Sequence, residues 1–223
     1  VYKRQVKRHI SDLPSAKEIG LSAAQKTLKR LNAKKISSTK LPVVFDKRIS
    51  NDLLGYLASS ISGTSIARGT SFLKDSLGKQ IFNKDVTIID DPAINRGLGS
   101  KPFDGEGVRV EKRELVSNGK LNTWILNTST AKKLGLKTTG NASRSVGSPP
   151  GVSTSNLYMT NGLKSYDDIL SSINYGFYAT ELIGMGVNLV TGDYSMGASG
   201  MLIEKGEITH AAVSYTHLTL PTI

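Results

Sequence analysis

The chain has 223 residues, a formal net charge of +11 and 38% hydrophobic content, enough to bury one sizeable core or a domain with a helical annex. Cysteine is missing, which excludes a disulfide framework and any thiolate metal site. No apolar run is long enough to span a bilayer and no secretory leader pattern follows the first residues, so nothing argues for membrane insertion or export, and a cytoplasmic home is expected.

In chain order, the first predicted element lies in PSAKEIGLSAAQKTLKRLNAKK. Ser15 followed by Glu18 is a capping box, in which each side chain satisfies a free N–H of the first helical turn. Leu21, Ala24, Leu28 and Leu31 recur at helical steps, so one apolar stripe is predicted to face a core while Lys17, Lys26, Lys29 and Arg30 face outward, with an end near Asn32. A short buried strand is predicted at Pro42 to Asp46, then a helix over ISNDLLGYLASSISG, capped by Ser50 and stopped by Gly63.

After Asp85 the pattern changes to period two. VTIIDDP predicts a strand, and GVRVEKRELVSNGKLNTWILN alternates on both sides of Asn118-Gly119, a pair that readily supplies positive φ to a two-residue hairpin turn. STAKKLG predicts a short helix ended by Gly135. The Gly/Ser/Pro-rich stretch from Gly140 to Asn156 is long for a connector and is a candidate functional or mobile segment. A helix over SYDDILSSIN precedes three strands, GFYATELI, GVNLVTGDY and SGMLIEKGEI, the last turning at Lys205-Gly206. Helices first and sheet later predict an α+β fold, with a helical segment followed by a mixed, mainly antiparallel sheet.

The two ends read differently. Val1–Gln5 and Val213–Ile223 back-translate to the arms of one inverted DNA repeat similar to a transposase sequencing adapter, and the second lacks strand alternation or helical period. Both are therefore expected to be adapter-derived, leaving Val6 to about Ala212 as the biological span. Within it the positive charge is concentrated at the front: eleven Lys or Arg face Asp12, Glu18 and Asp46 between Val6 and Arg48, and the remainder is nearly balanced. Such asymmetry can signal nucleic-acid contact, but few aromatics stand among these cations to stack on bases. A solvated helix face is expected, and nucleic acid is not an expected partner.

Histidine catalysis is hard to assemble here. Of the three His, His217 lies in the adapter-like tail, and His9 and His210 stand near opposite ends. No H-E-x-x-H pair exists for a self-contained zinc site. GDYSMG approaches a serine elbow but has Asp193 where the first Gly is needed, and GLGSKPFDGEG is no phosphate loop because it lacks the Lys and opens no helix. Asp104 and Glu106, two apart before a strand, and Asp193 in a later turn could serve as acid and base. Acids in Gly-rich turns also accept from local backbone N–H groups, and that role is expected for them.

Four ordered blocks are more specific. TSFLKDSLGKQIF, GLGSKPFDGEGVRVEKRELVSNGKL, TAKKLGLKTTGNASR and ATELIGMGVNLVTGDYSMGASGMLIEKGEI together resemble the PmbA/TldE branch of the TldD/PmbA metallopeptidase family. The resemblance covers the latter part of a family member, which implies an end of a central helical domain at 6–40 and a truncated C-terminal domain of the TldD/PmbA type at 41–212. It also implies a cytosolic heterodimer that acts on unstructured peptides, in which a TldD-type partner carries H-E-x-x-x-H and zinc while the TldE-type subunit lacks that motif. Here the matching segment is NDLLGY, with Asn51 and Tyr56 at the two His positions and Asp52 at the Glu. Asn and Tyr are poor zinc ligands. The chain is thus expected to hold no cofactor of its own, and Arg144, in the middle of the long loop, is the leading candidate for substrate or partner contact. The family is also described as a modulator of DNA gyrase, which leaves a regulatory binding role without peptidase function as the alternative.

Overall fold

The computed structural model describes residues 6–220, the side chains of 213–217 excepted. Val1–Gln5 and the last three residues of the adapter-like tail lie outside the described residues. After a 3-10 turn at Ile10–Asp12 come α1 (Ala16–Leu28), β1 (Lys34–Lys35), β2 (Val43–Phe45), α2 (Ser50–Ser60) and α3 (Gly63–Arg68). The middle of the chain carries β3 (Ile88–Asp90), β4 (Arg113–Ser117), β5 (Lys120–Leu121), α4 (Thr128–Lys133), β6 (Ala142–Ser143), β7 (Gly151–Val152) and β8 (Leu157–Met159). It closes with α5 (Tyr166–Ser171), β9 (Tyr175–Ile183), β10 (Tyr194–Glu204) and β11 (Glu207–Leu220). The fold is α+β, as the pattern predicts. Two compact units divide it: one comprises the chain up to Asn51, Gly162–Val187 and the chain from Asp193, the other Asp52–Asn161 with Asn188–Gly192.

The first unit is built on a five-stranded sheet in the order β1-β11-β10-β9-β2. Its three long strands are antiparallel neighbours, while β1 and β2 add in parallel at either side. Phe177, Ala179, Ala198, Leu202 and Ala212 form one buried cluster, covered by Val43, Phe45 and Ile49, and Leu170, Ile173 and Ile203 form a second beneath α5. The β10–β11 turn falls at Lys205-Gly206, both at positive φ, where the sequence predicts it. Beyond Ala212, β11 continues alongside β10 as far as the pairing Tyr194↔Leu220. Strand pairing there follows from main-chain N–H and C=O groups, which need no alternation of side chains.

The capping box of α1 is present, with Ser15 Oγ accepting from the Glu18 N–H and Glu18 accepting from the Ser15 N–H. Its apolar stripe faces no core: α1 has no buried residue, and Leu21 and Leu28 are 54% and 65% exposed. Periodicity specifies an amphipathic helix, but burial needs a second surface, and within this unit no described element covers the stripe. Arg30, just past α1, is held by Glu181 at 3.0 Å and donates to Thr180 on β9.

The second unit has a four-stranded antiparallel sheet, β5-β4-β3-β8, and its core gathers Leu57, Ile61, Ile88, Leu115, Val116, Leu121, Trp124, Ile125 and Leu126. Gly63 does not end a single helix but opens α3. Its N–H donates to the Ile125 carbonyl, and a Cβ there would meet the side chains of Leu126 and Thr130, so the residue permits close approach of α4. The expected strand GVNLVTGDY is instead a turn over 188–192: the Asn188 side chain accepts from the Val190 N–H and its carbonyl from the Gly192 N–H. A short polar side chain bonding its own backbone outcompetes weak alternation.

The Asn118-Gly119 turn adopts φ of 48° and 76°, as predicted. A Cβ on Gly119 would overlap the carbonyl oxygens of Phe82 and Asn83. Gly119→Ala is therefore expected to lower stability by about 2 kcal/mol or more, whereas Asn118→Gly changes it by less than about 0.5 kcal/mol, both measured by denaturant midpoint. Leu115, with no exposed surface, gives the cavity reference: Leu115→Ala costs about 3 kcal/mol in the same measurement.

Candidate functional site

Asn51, Asp52 and Tyr56 lie on α2, Asn51 and Asp52 exposed and Tyr56 half-buried. On a regular α-helix a five-residue step turns the chain by about 140° from one face, so Asn51 and Tyr56 do not project together. Neither residue offers an imidazole nitrogen, and among the described residues no three His, Cys, Asp or Glu gather as a metal-ligand group. The donor set at these positions does not fit zinc.

The approach to α2 is fixed by Asp46, a residue that spacing alone did not single out. Its carbonyl accepts from the Ile49 and Ser50 N–H groups, and its carboxylate accepts from the Arg48 N–H and Nε at 2.9 and 2.8 Å. The Tyr178 hydroxyl of β9 donates to the other carboxylate oxygen at 2.9 Å. Burial pushes the Asp46 carboxyl up, but the hydrogen bonds from Arg48 and Tyr178 outweigh it and hold the group below the usual carboxylate range. Burial first and the Asp46 carboxylate second push the Tyr178 hydroxyl well above its ordinary range. Tyr166 packs edge-on against the Tyr178 ring, with centroids 6.1 Å apart.

In the second unit the acids of the Gly-rich turn and the long loop meet. Asp104 is 4% exposed and its carboxylate accepts from the N–H groups of Glu106, Val108 and, across the fold, Ala142. Glu106 accepts from the Thr128 N–H at the start of α4. Both carboxylates thus hold main chain rather than facing one another as an acid and a base. Asp90, 5% exposed, accepts from the Ser155 N–H and hydroxyl at 2.7 and 2.6 Å and from the Asn141 amide at 2.8 Å. Asn141 also donates to the Ser153 carbonyl and accepts from the Thr139 hydroxyl, so its amide is fully used.

The stretch from Gly140 to Asn156 is consequently a β6–β7 hairpin on a buried polar base, with Ala142↔Val152 and Ser143↔Gly151 paired. Arg144 stands exposed where the hairpin leaves that base, and Asp193 is an exposed residue before β10. The residues missed by sequence reasoning, Asp90, Asn141 and Ser155, had only their polarity inside a long loop or at a strand end to mark them. Their partners lie far along the chain.

Two outcomes are expected. Tyr178→Phe removes a hydrogen bond to a carboxylate and lowers stability by about 1 kcal/mol at neutral pH. Because the folded Asp46 value is depressed, that difference is full above the ordinary carboxyl value of 3.8 and disappears as pH falls through the folded value, which acid unfolding of wild type and variant measures. Asp104→Ala strands three N–H groups, so amide exchange at Glu106, Val108 and Ala142 is expected to quicken, with a stability loss of about 2 kcal/mol.

Residues 38–217 match the family model described as PmbA/TldA metallopeptidase C-terminal domain. The chain is 39% identical to the metalloprotease PmbA of Escherichia coli over 96% of its own length and 46% of that relative's. Among solved structures it is similar to a Bacteroides thetaiotaomicron protein described as a modulator of DNA gyrase, with a TM-score of 0.85, 31% identity and coverage of 96% of this chain and 46% of that one. It is also similar to TldE from Thermococcus kodakarensis, with a TM-score of 0.78, 27% identity and coverage of 88% and 46%. The chain thus spans less than half the length of these relatives. Matched in sequence and in fold over most of its length, the chain belongs to the PmbA/TldE branch of the PmbA/TldD metallopeptidase family.

Proposed function

We propose that this chain is part of the non-metal-binding subunit of a heterodimeric zinc metallopeptidase of the cytosol, which processes unstructured peptides. The observation that carries the reading is the donor set on α2, where Asn51 and Tyr56 stand at the positions of two zinc-binding histidines and Asp52 is the one carboxylate between them. A metallopeptidase relative without metal-binding side chains at that site needs a partner that brings them. Zinc is accordingly assigned to a TldD-type subunit, and this chain to the wall of the shared cavity. Extended peptides can be held there through main-chain hydrogen bonds, which suit many sequences because every peptide offers the same backbone groups.

A regulatory binding protein is the second reading, supported by the description of the Bacteroides relative as a modulator of DNA gyrase. The two readings predict different partners. Peptide hydrolysis is measured for the chain alone and mixed with a TldD-type subunit, with zinc determined in each sample. Activity and zinc are expected only in the mixture. Hydrolysis by the chain alone with stoichiometric zinc overturns the assignment, and binding to gyrase without any contribution to hydrolysis favours the second reading.

A further inference from the structure

The hairpin of β6 and β7 is held from below with unusual thoroughness for a surface loop. Asp104 accepts from the Ala142 N–H at 2.9 Å, and the Gly105 N–H donates to the Ala142 carbonyl at 2.9 Å. From α4's first turn, the buried Asn127 amide donates to the carbonyls of Pro150 and Gly151 at 2.9 and 3.2 Å. Asn141, 4% exposed, ties the near strand to Asp90 and to the Ser153 carbonyl. Four buried polar side chains, reaching from three distant stretches, thus order both strands of one short hairpin.

The tip they support makes no use of that order within the chain. Residues 144–149, RSVGSP, are all exposed, and Val146 is completely so. Arg144 makes no hydrogen bond or ion pair among the described residues. Burying carboxylates and amides is costly unless each is satisfied, and here they are satisfied by main chain of the loop alone. A loop ordered in advance loses less freedom when it docks, which is what a binding element gains from such a base.

We propose that the β6–β7 hairpin is a docking arm for the partner subunit, with Arg144 pairing a carboxylate on that subunit and Val146 entering an apolar recess beside it. This rests on the heterodimer reading above. The shape decides between a folded partner and a peptide substrate: the tip is convex and exposed on all sides, whereas a site that grips a short peptide is concave. Arg144 selects the chemistry, since a guanidinium offers two parallel donors to a carboxylate, and Val146 adds apolar area next to it.

The test is the dissociation constant of the full chain with a TldD-type subunit, measured for wild type, Arg144→Glu, Arg144→Lys and Val146→Asp, together with KM for peptide hydrolysis by each complex. Neither side chain supports the fold, so melting temperatures are expected to stay within wild-type scatter. Arg144→Glu and Val146→Asp are expected to weaken the complex about tenfold or more, and Arg144→Lys by less, because the charge remains while the paired donors are lost. Wild type that binds the subunit, with variants that bind equally well, overturns the arm while leaving the heterodimer intact. Unchanged dissociation constants with a raised KM reassign the arm to substrate and also overturn the proposal. Wild type that fails to bind any TldD-type subunit overturns the heterodimer reading and the arm with it.

Discussion

The second unit depends on one constraint, that buried main-chain groups must find partners even where there is little regular structure to supply them. Its sheet strands are short, and long irregular segments run between them. Side chains take the place of ladder partners. Asp104, Asp90, Asn127 and Asn141 each accept from or donate to main chain remote in sequence, and Asn156 does the same for the turn after β3, donating to the Asp91 carbonyl while accepting from the Gly99 N–H. The hydrophobic core of Leu115, Leu121, Ile125 and their neighbours holds the sheet; this polar scaffold determines where the loops go.

That division explains why the acids of the Gly-rich turn are not chemistry. A carboxylate that accepts three backbone N–H groups is structural by virtue of its geometry, since its lone pairs are already directed into the protein. The arrangement still bears on function, because the loop it orders is the most exposed projection of its unit. Scaffold and interaction surface are here two ends of one hairpin.

The first unit solves the same problem with main chain alone. Long antiparallel strands satisfy one another, and the polar side chains that matter sit at the edges: Arg30 with Glu181 beside β9, and Tyr178 with Asp46 ahead of α2. The exposed stripe of α1 belongs to this picture. A helix with a complete capping box and an uncovered apolar face is stable in its first turn and unsatisfied along its side.

Local chemistry was legible. Ser15 with Glu18, Asn118-Gly119 and Lys205-Gly206 each act within a few residues, so side-chain type alone decides a cap or a turn, and the α+β class and the loss of zinc-ligating residues at Asn51 and Tyr56 followed from order and identity. What depends on contact across the chain was not legible. The stripe of Leu21 and Leu28 predicts an amphipathic helix but not what covers it, and Gly63 opens a helix because α4 packs against it. Asn188 closes a turn where alternation suggested a strand, and Asp90 finds Asn141 and Ser155 only once the fold has brought them together. The sequence determined the elements, their caps and the residue types at the degenerate metal site, because those follow from short-range sterics and donor chemistry. Tertiary structure decided which faces are buried and which acids are spent on backbone, because a buried polar group is satisfied by whatever the fold places beside it.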